Sequence, residues 1–108
     1  VCLGSNDYIS GLMPDVDLLR RNHLNICIGT DSLASNNSLS MVEELKRLKE
    51  YPLEEVLTWA TTNGAEALGY GDTLGRLEVG RGCGLAVIDA LDYENMTLTE
   101  QSSCRRIL

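Results

Sequence analysis

One histidine, two prolines and no two cysteines spaced as Cys-x-x-Cys set the first limits on this chain. A catalytic metal centre of the imidazole type gathers several neutral histidines around one ion, so His23 alone cannot build one. The four cysteines, Cys2, Cys27, Cys83 and Cys104, are widely scattered, which excludes the zinc-knuckle and dithiol redox patterns. They read as free thiols and suit a reducing cytoplasm. Basic residues are few, nine against sixteen acids, and the net charge of -7 disfavours nucleic acid and anionic membrane as partners, since both attract basic patches. No apolar run nears the roughly 18 residues of a transmembrane helix, and no signal-peptide pattern is visible. The glycines between Gly69 and Gly84 lack both the Lys-Ser/Thr end of a P-loop and the dinucleotide fingerprint after a strand, so they read as turns.

What is present is enough for a core: 108 residues, 44% of them hydrophobic, suffice for one small globular domain. The chain is organised around Asn25-Ile26-Cys27-Ile28-Gly29-Thr30-Asp31-Ser32. A short apolar run closed by a glycine reads as a buried strand, which places Asp31 just past its carboxyl end. In α/β folds that edge is where catalytic groups collect.

Before it, Val1-Cys2-Leu3 reads as the end of an apolar strand and Gly4-Ser5-Asn6 as a polar turn. Asn6 either bonds its own backbone in that turn or lines a pocket. Pro14, with Asp15 and Asp17 near one end and Arg20, Arg21 and His23 near the other, predicts a helix over about 14–22. Val16 and Leu19, with Leu18 or Leu12, form its apolar face. His23, at a helix end rather than a strand end, reads as a surface cap.

After Asp31, Ser40-Met41-Val42-Glu43 has the form of a capping box, and Leu39, Val42, Leu45 and Leu48 recur at three-residue steps. The helix they predict must stop before Pro52. Pro52 opens another, with Leu53, Val56, Leu57 and Ala60 inward and Trp59 as a packing residue. Thr61 and Thr62 interrupt it, and Asn63-Gly64-Ala65-Glu66 offers a second capping pattern before a stop at Gly69. Arg76–Val79 alternates and Leu85–Asp89 is a buried-strand candidate. Met96–Leu98 is a further candidate, and Ser102–Leu108 reads as a tail.

Four of these blocks also resemble, in order, the metal-dependent amidohydrolases of the chlorohydrolase, guanine deaminase and S-adenosylhomocysteine deaminase branch. They are Cys2…Ser5-Asn6, Gly29-Thr30-Asp31-Ser32-Leu33-Ala34-Ser35-Asn36, Pro52…Gly69, and Leu74…Gly82 followed by Leu85–Asp89. Leu3 stands where the family usually has Pro, and Cys83-Gly84 where it has Ala-Asp. The resemblance implies an α/β fold, namely the last two strands and helices of a TIM-type (β/α)8 barrel over residues 1–70. Residues 71–108 would be return strands of the small β-sandwich domain and a tail. A whole barrel needs roughly 250 residues, so the chain is expected to be the carboxyl-terminal fragment of a hydrolase.

That parent would use a divalent metal, zinc or iron, to activate water against a cyclic amidine or a purine- or triazine-like ring, a small-molecule substrate. The resemblance assigns Asp31 as metal ligand and catalytic proton carrier, in the intact parent only, and Ser5, Asn6, Ser32 and Asn36 as substrate-binding neighbours. The fragment alone is expected to be catalytically silent, without metal, and self-associating through its open edges. Two other readings stand beside this one. The chain is a non-catalytic interaction module that keeps the pattern, or an unrelated small α/β domain in which Asp31 only caps a turn.

Overall fold

In the computed structural model, which describes residues 1–108, the element order is five helices followed by a two-stranded hairpin. None of the helices is long and apolar enough to cross a membrane. The first, α1 (Leu3–Ser10), begins where a strand end was expected. Only Val1 keeps the strand role. Its amino group donates to the Cys27 carbonyl, and the Gly29 N–H donates back to the Val1 carbonyl at 2.9 Å. These two bonds straddle Ile28, which is the pattern of one parallel pair.

The 25–29 segment, expected as a buried strand, does not form one: apart from the single bridge to Val1 it joins no ladder. Part of its backbone is satisfied by helices instead. Asn63 Nδ2 donates to the Ile26 carbonyl at 2.9 Å, and the Ile28 N–H donates to the Trp59 carbonyl at 3.3 Å. The Ile26 and Cys27 N–H groups take no partner within the chain, so this segment keeps part of an open edge.

Helix α2 (Val16–Arg21) lies inside the expected 14–22 window. Asp15 is its N-cap, accepting from the Leu18 N–H at 2.8 Å, so the acid terminates the helix rather than joining it. Val16 is buried and Leu19 half-buried, whereas Leu18 and Leu12 are exposed. Past the C-cap, His23 is exposed and left-handed.

Helix α3 is shorter than predicted, Met41–Lys46, followed by turns through Glu50. Its capping box does not form. Ser40 caps with its backbone alone, and Glu43 turns outward to Lys46 at 2.7 Å. Helix α4 (Leu53–Ala60) starts directly after Pro52 and buries Val56 and Trp59. Helix α5 (Thr62–Ala67) begins one residue before the expected cap, because Asn63 is drawn to Ile26. It ends in a Schellman motif: Gly69 is left-handed (φ 79°), its N–H reaches the Glu66 carbonyl, and the Tyr70 N–H reaches Ala65.

Residues 76–79 form no strand, although they alternate. Leu77 and Val79 are exposed, and Arg81 folds back onto the Gly71 and Leu74 carbonyls and the Glu78 carboxylate, which makes the segment a loop. The hairpin is β1 (Ala86–Asp92) antiparallel to β2 (Thr97–Arg106), with a bulge at Ala90. The expected tail is therefore mostly strand. Its partner is β1, and Leu98 anchors it in the core with Leu3, Val16, Ile26, Leu45, Val56 and Trp59.

Asp92 closes the hairpin turn by accepting from the Glu94 and Asn95 N–H groups and from Asn95 Nδ2, at 2.8–3.1 Å. The Asn95 side chain, then its backbone, hold the carboxyl below its usual range. A depressed folded pKa contributes stability above the unfolded value, and that contribution is lost as pH falls through the folded one. NMR titration should place the Asp92 midpoint below the model-peptide value of about 3.9, and Asn95→Ala should raise it. A midpoint at or above the peptide value would contradict this account.

Candidate active site

Asp31 follows the 25–29 segment in a left-handed conformation (φ 58°), a region that Asp tolerates better than most residues. The turn behind it is closed by the Ser35 N–H on the Ser32 carbonyl at 3.1 Å. Two hydroxyls then converge on one carboxylate oxygen. Ser5 Oγ, from the first turn of α1, and Ser35 Oγ each donate to Asp31 Oδ2 at 2.8 Å. Oδ1 takes no side-chain hydrogen bond. The Ser5 bond, then the Ser35 bond, lower the Asp31 pKa, with partial desolvation opposing them. Donors aimed at an anion favour its charged form, and the Ser32 backbone N–H adds a smaller contribution, so Asp31 is an exposed carboxylate whose Oδ2 is held by two hydroxyls while Oδ1 takes no side-chain donor.

Behind this carboxylate lies a buried polar network. Glu44, 1% exposed, accepts from the Gly4 N–H at 2.8 Å through Oε2 and from Asn36 Nδ2 at 2.7 Å through Oε1. Asn36 Nδ2 also donates to the Thr30 carbonyl at 2.8 Å.

The structure thus separates the expected neighbours of Asp31. Ser5 and Asn36 are buried and hydrogen-bonded within the chain, Ser5 to Asp31 itself and Asn36 to Thr30 and Glu44. Ser32 is exposed with its hydroxyl 3.3 Å from that of Ser35. Asn6 is exposed on α1, bonds through its backbone to Cys2 and Ser10, and makes no hydrogen bond to Asp31.

Ser35 and Glu44 are the site residues that the sequence reading passed over. A signal for Glu44 existed, since position 44 falls on the stripe of Met41, Leu45 and Leu48 at i, i+3, i+4 and i+7.

As a metal site the chain's own donors do not suffice. No group of three or more His, Cys, Asp or Glu side chains is arranged to hold an ion. Asp31 offers a single carboxylate, and His23 lies beyond α2. All four cysteines are free.

Comparison with known proteins decides the family: the model of the Amidohydrolase family matches residues 1–106. The chain belongs to the amidohydrolase family. That sets aside the reading as an unrelated α/β domain. This amidohydrolase chain is 40% identical over 91 residues to a 5-methylthioadenosine/S-adenosylhomocysteine deaminase of Syntrophobacter fumaroxidans, a match covering 74% of this chain and 20% of that protein. It is 36% identical over 91 residues to a 5'-deoxyadenosine deaminase of Methanobrevibacter smithii, covering 74% and 21%. Its fold matches a zinc-bound adenosine deaminase from Xanthomonas campestris with a TM-score of 0.73 and 33% identity, over 82% of this chain and 23% of that one. The chain spans about a fifth of the length of the curated relatives it matches. Its mixed helix and strand content is that of an amidohydrolase segment.

Proposed function

We propose that residues 1–70 are the last two strand and helix units of a (β/α)8 amidohydrolase barrel, that 71–108 return to its small β-sandwich domain, and that the whole enzyme deaminates an adenosine-like purine. The observation that carries this reading is Asp31 itself. In a chain similar to adenosine-derivative deaminases, one exposed carboxylate is held at Oδ2 by Ser5 and Ser35 while Oδ1 takes no side-chain donor. The relatives' names favour aminohydrolysis over halide displacement.

A divalent metal, zinc or iron, would make hydroxide available near neutral pH in the intact enzyme, with the remaining ligands supplied outside this chain. Asp31 is the ligand this segment supplies. Its Oδ1 is anionic when it faces a cation, can accept a proton and can pass that proton to a leaving amine. The Ser5 and Ser35 hydroxyls keep Oδ2 out of that traffic. The exposed Ser32 and Asn6 are the polar groups of this segment left to meet substrate.

The test uses the 108-residue chain and its full-length parent. Alone, the chain should bind sub-stoichiometric zinc and iron, show no deaminase activity and sediment as a dimer or larger, since the unpaired Ile26 and Cys27 N–H groups form an open edge of the kind that recruits partners. The parent should deaminate an adenosine derivative and carry metal. A full equivalent of metal in the isolated chain that disappears in Asp31→Ala would overturn the assignment of ligands. A metal-loaded parent without deaminase activity would favour a non-catalytic module.

A further inference from the structure

We propose that the buried Glu44 carboxylate is a positioning residue for Asp31, clamping the turn that carries Ser5 to the loop that carries Asp31. The inference rests on the catalytic reading of Asp31 given above. Each end of the clamp is one residue from the site. Oε2 holds the N–H of Gly4, next to Ser5, and Oε1 holds Asn36 Nδ2, which in turn holds the carbonyl of Thr30, next to Asp31.

Two further observations support a positioning role over simple filling of the core. The first is that Glu44 forms no ion pair, and both of its partners are neutral N–H donors. A buried carboxylate without a cation is expensive to desolvate, and an apolar side chain of similar volume would usually be the more stable occupant. What the carboxylate supplies and an apolar group cannot is two acceptors facing two donors from separate segments.

The second observation is the room made for it. A Cβ on Gly4 would lie 2.5 Å from Glu44 Oε1 and 2.7 Å from both Asn36 side-chain polar atoms. Only glycine lets the backbone at position 4 approach the network so closely. When the clamp is closed, Ser5 Oγ is delivered to Asp31 Oδ2 and the left-handed backbone at Asp31 is pinned from behind.

Glu44→Gln keeps the shape but turns one acceptor into an N–H2, which must face either the Gly4 N–H or Asn36 Nδ2. One segment is then released while α3 stays intact. In the full-length enzyme, kcat should fall by about 10- to 100-fold, the scale associated with a misplacement of about 1 Å, with KM within about threefold of the parent value. Because Glu44 acts through Ser5, the costs of Glu44→Gln and Ser5→Ala on log kcat should be less than additive in the double variant. A crystal structure of Glu44→Gln should show Ser5 Oγ out of hydrogen-bond reach of Asp31. Asn36→Ala opens the clamp from the loop side and should give the same kcat loss, which keeps the test available if Glu44→Gln does not fold.

Native kcat in a folded Glu44→Gln or Asn36→Ala enzyme, or fully additive costs with Ser5→Ala, would overturn the positioning role. The catalytic reading fails separately, through an Asp31→Asn enzyme with unchanged turnover.

Discussion

Asp31→Asn in the full-length enzyme is expected to lower kcat by about 10²–10⁴-fold, the usual contribution of a positioned general acid or base, while KM changes by less than about fivefold. The substitution keeps size and leaves Ser5 and Ser35 an oxygen to donate to, so the loop should keep its shape. What it removes is the anionic oxygen that can take up a proton and give it back. A fall in kcat and kcat/KM together, with KM nearly constant, is the signature of an interaction made only in the transition state. Steady-state kinetics on the purified variant, normalised to metal content, checks this. Turnover within threefold of the parent would return Asp31 to the role of a turn residue.

The second large effect concerns folding. Trp59→Ala should destabilise the chain by about 3–5 kcal/mol, the range for deleting a buried aromatic side chain, against a total that for small domains is only about 5–15 kcal/mol. Trp59 is 5% exposed, and its ring lies 5.5 Å from that of Tyr51 at a tilt of 60°. Arg20 in turn stacks 5.0 Å over Tyr51 and grips Glu55 with two hydrogen bonds of 2.8 and 2.9 Å. The residue therefore joins α4 to α2 through a layered cluster, while its carbonyl holds the Ile28 N–H. Urea unfolding followed by far-ultraviolet circular dichroism should show the midpoint fall by about 1 M or more at ordinary m-values. A shift below about 0.3 M would mean that the cluster relaxes around the cavity and that Trp59 is not the keystone of the core.

The sequence announced Asp31 through a local rule that survives in the structure: an apolar run, a glycine, then an acid. Helices α2 and α4 were legible for the same reason, because Pro14 and Pro52 are start signals that act within one turn, although it is Asp15 that caps α2. Val1–Leu3 misled because an apolar triplet is ambiguous, and the capture of the Gly4 N–H by Glu44 belongs to a partner 40 positions away. Alternation at 76–79 normally marks a strand with one buried face, but here Arg81 gathers the surrounding carbonyls and no second strand arrives. The full length of β2 was hidden because its middle, Glu100 to Ser103, is polar. It is strand because β1 lies beside it and Ser102 Oγ reaches the Ala90 carbonyl at the bulge. The Glu44 network escaped notice because an acid among other acids on a helix reads as solvent-facing.

The single parallel pair of Val1 with Ile28 acts as a ruler. Ser5 lies four positions beyond one member of the pair and Asp31 three beyond the other, and the hydroxyl and carboxylate meet at 2.8 Å only at those counts. One residue added to or removed from the helical 3–5 turn rotates Ser5 by about 100° and shifts it by about 1.5 Å, and in the 28–31 arm it displaces Asp31 by about 3.3 Å. The two arms, 1–5 and 28–31, are thus places where length is fixed more strictly than residue type. The loop at 76–82, with its exposed Leu77 and Val79, is where this chain can gain or lose residues without disturbing that count.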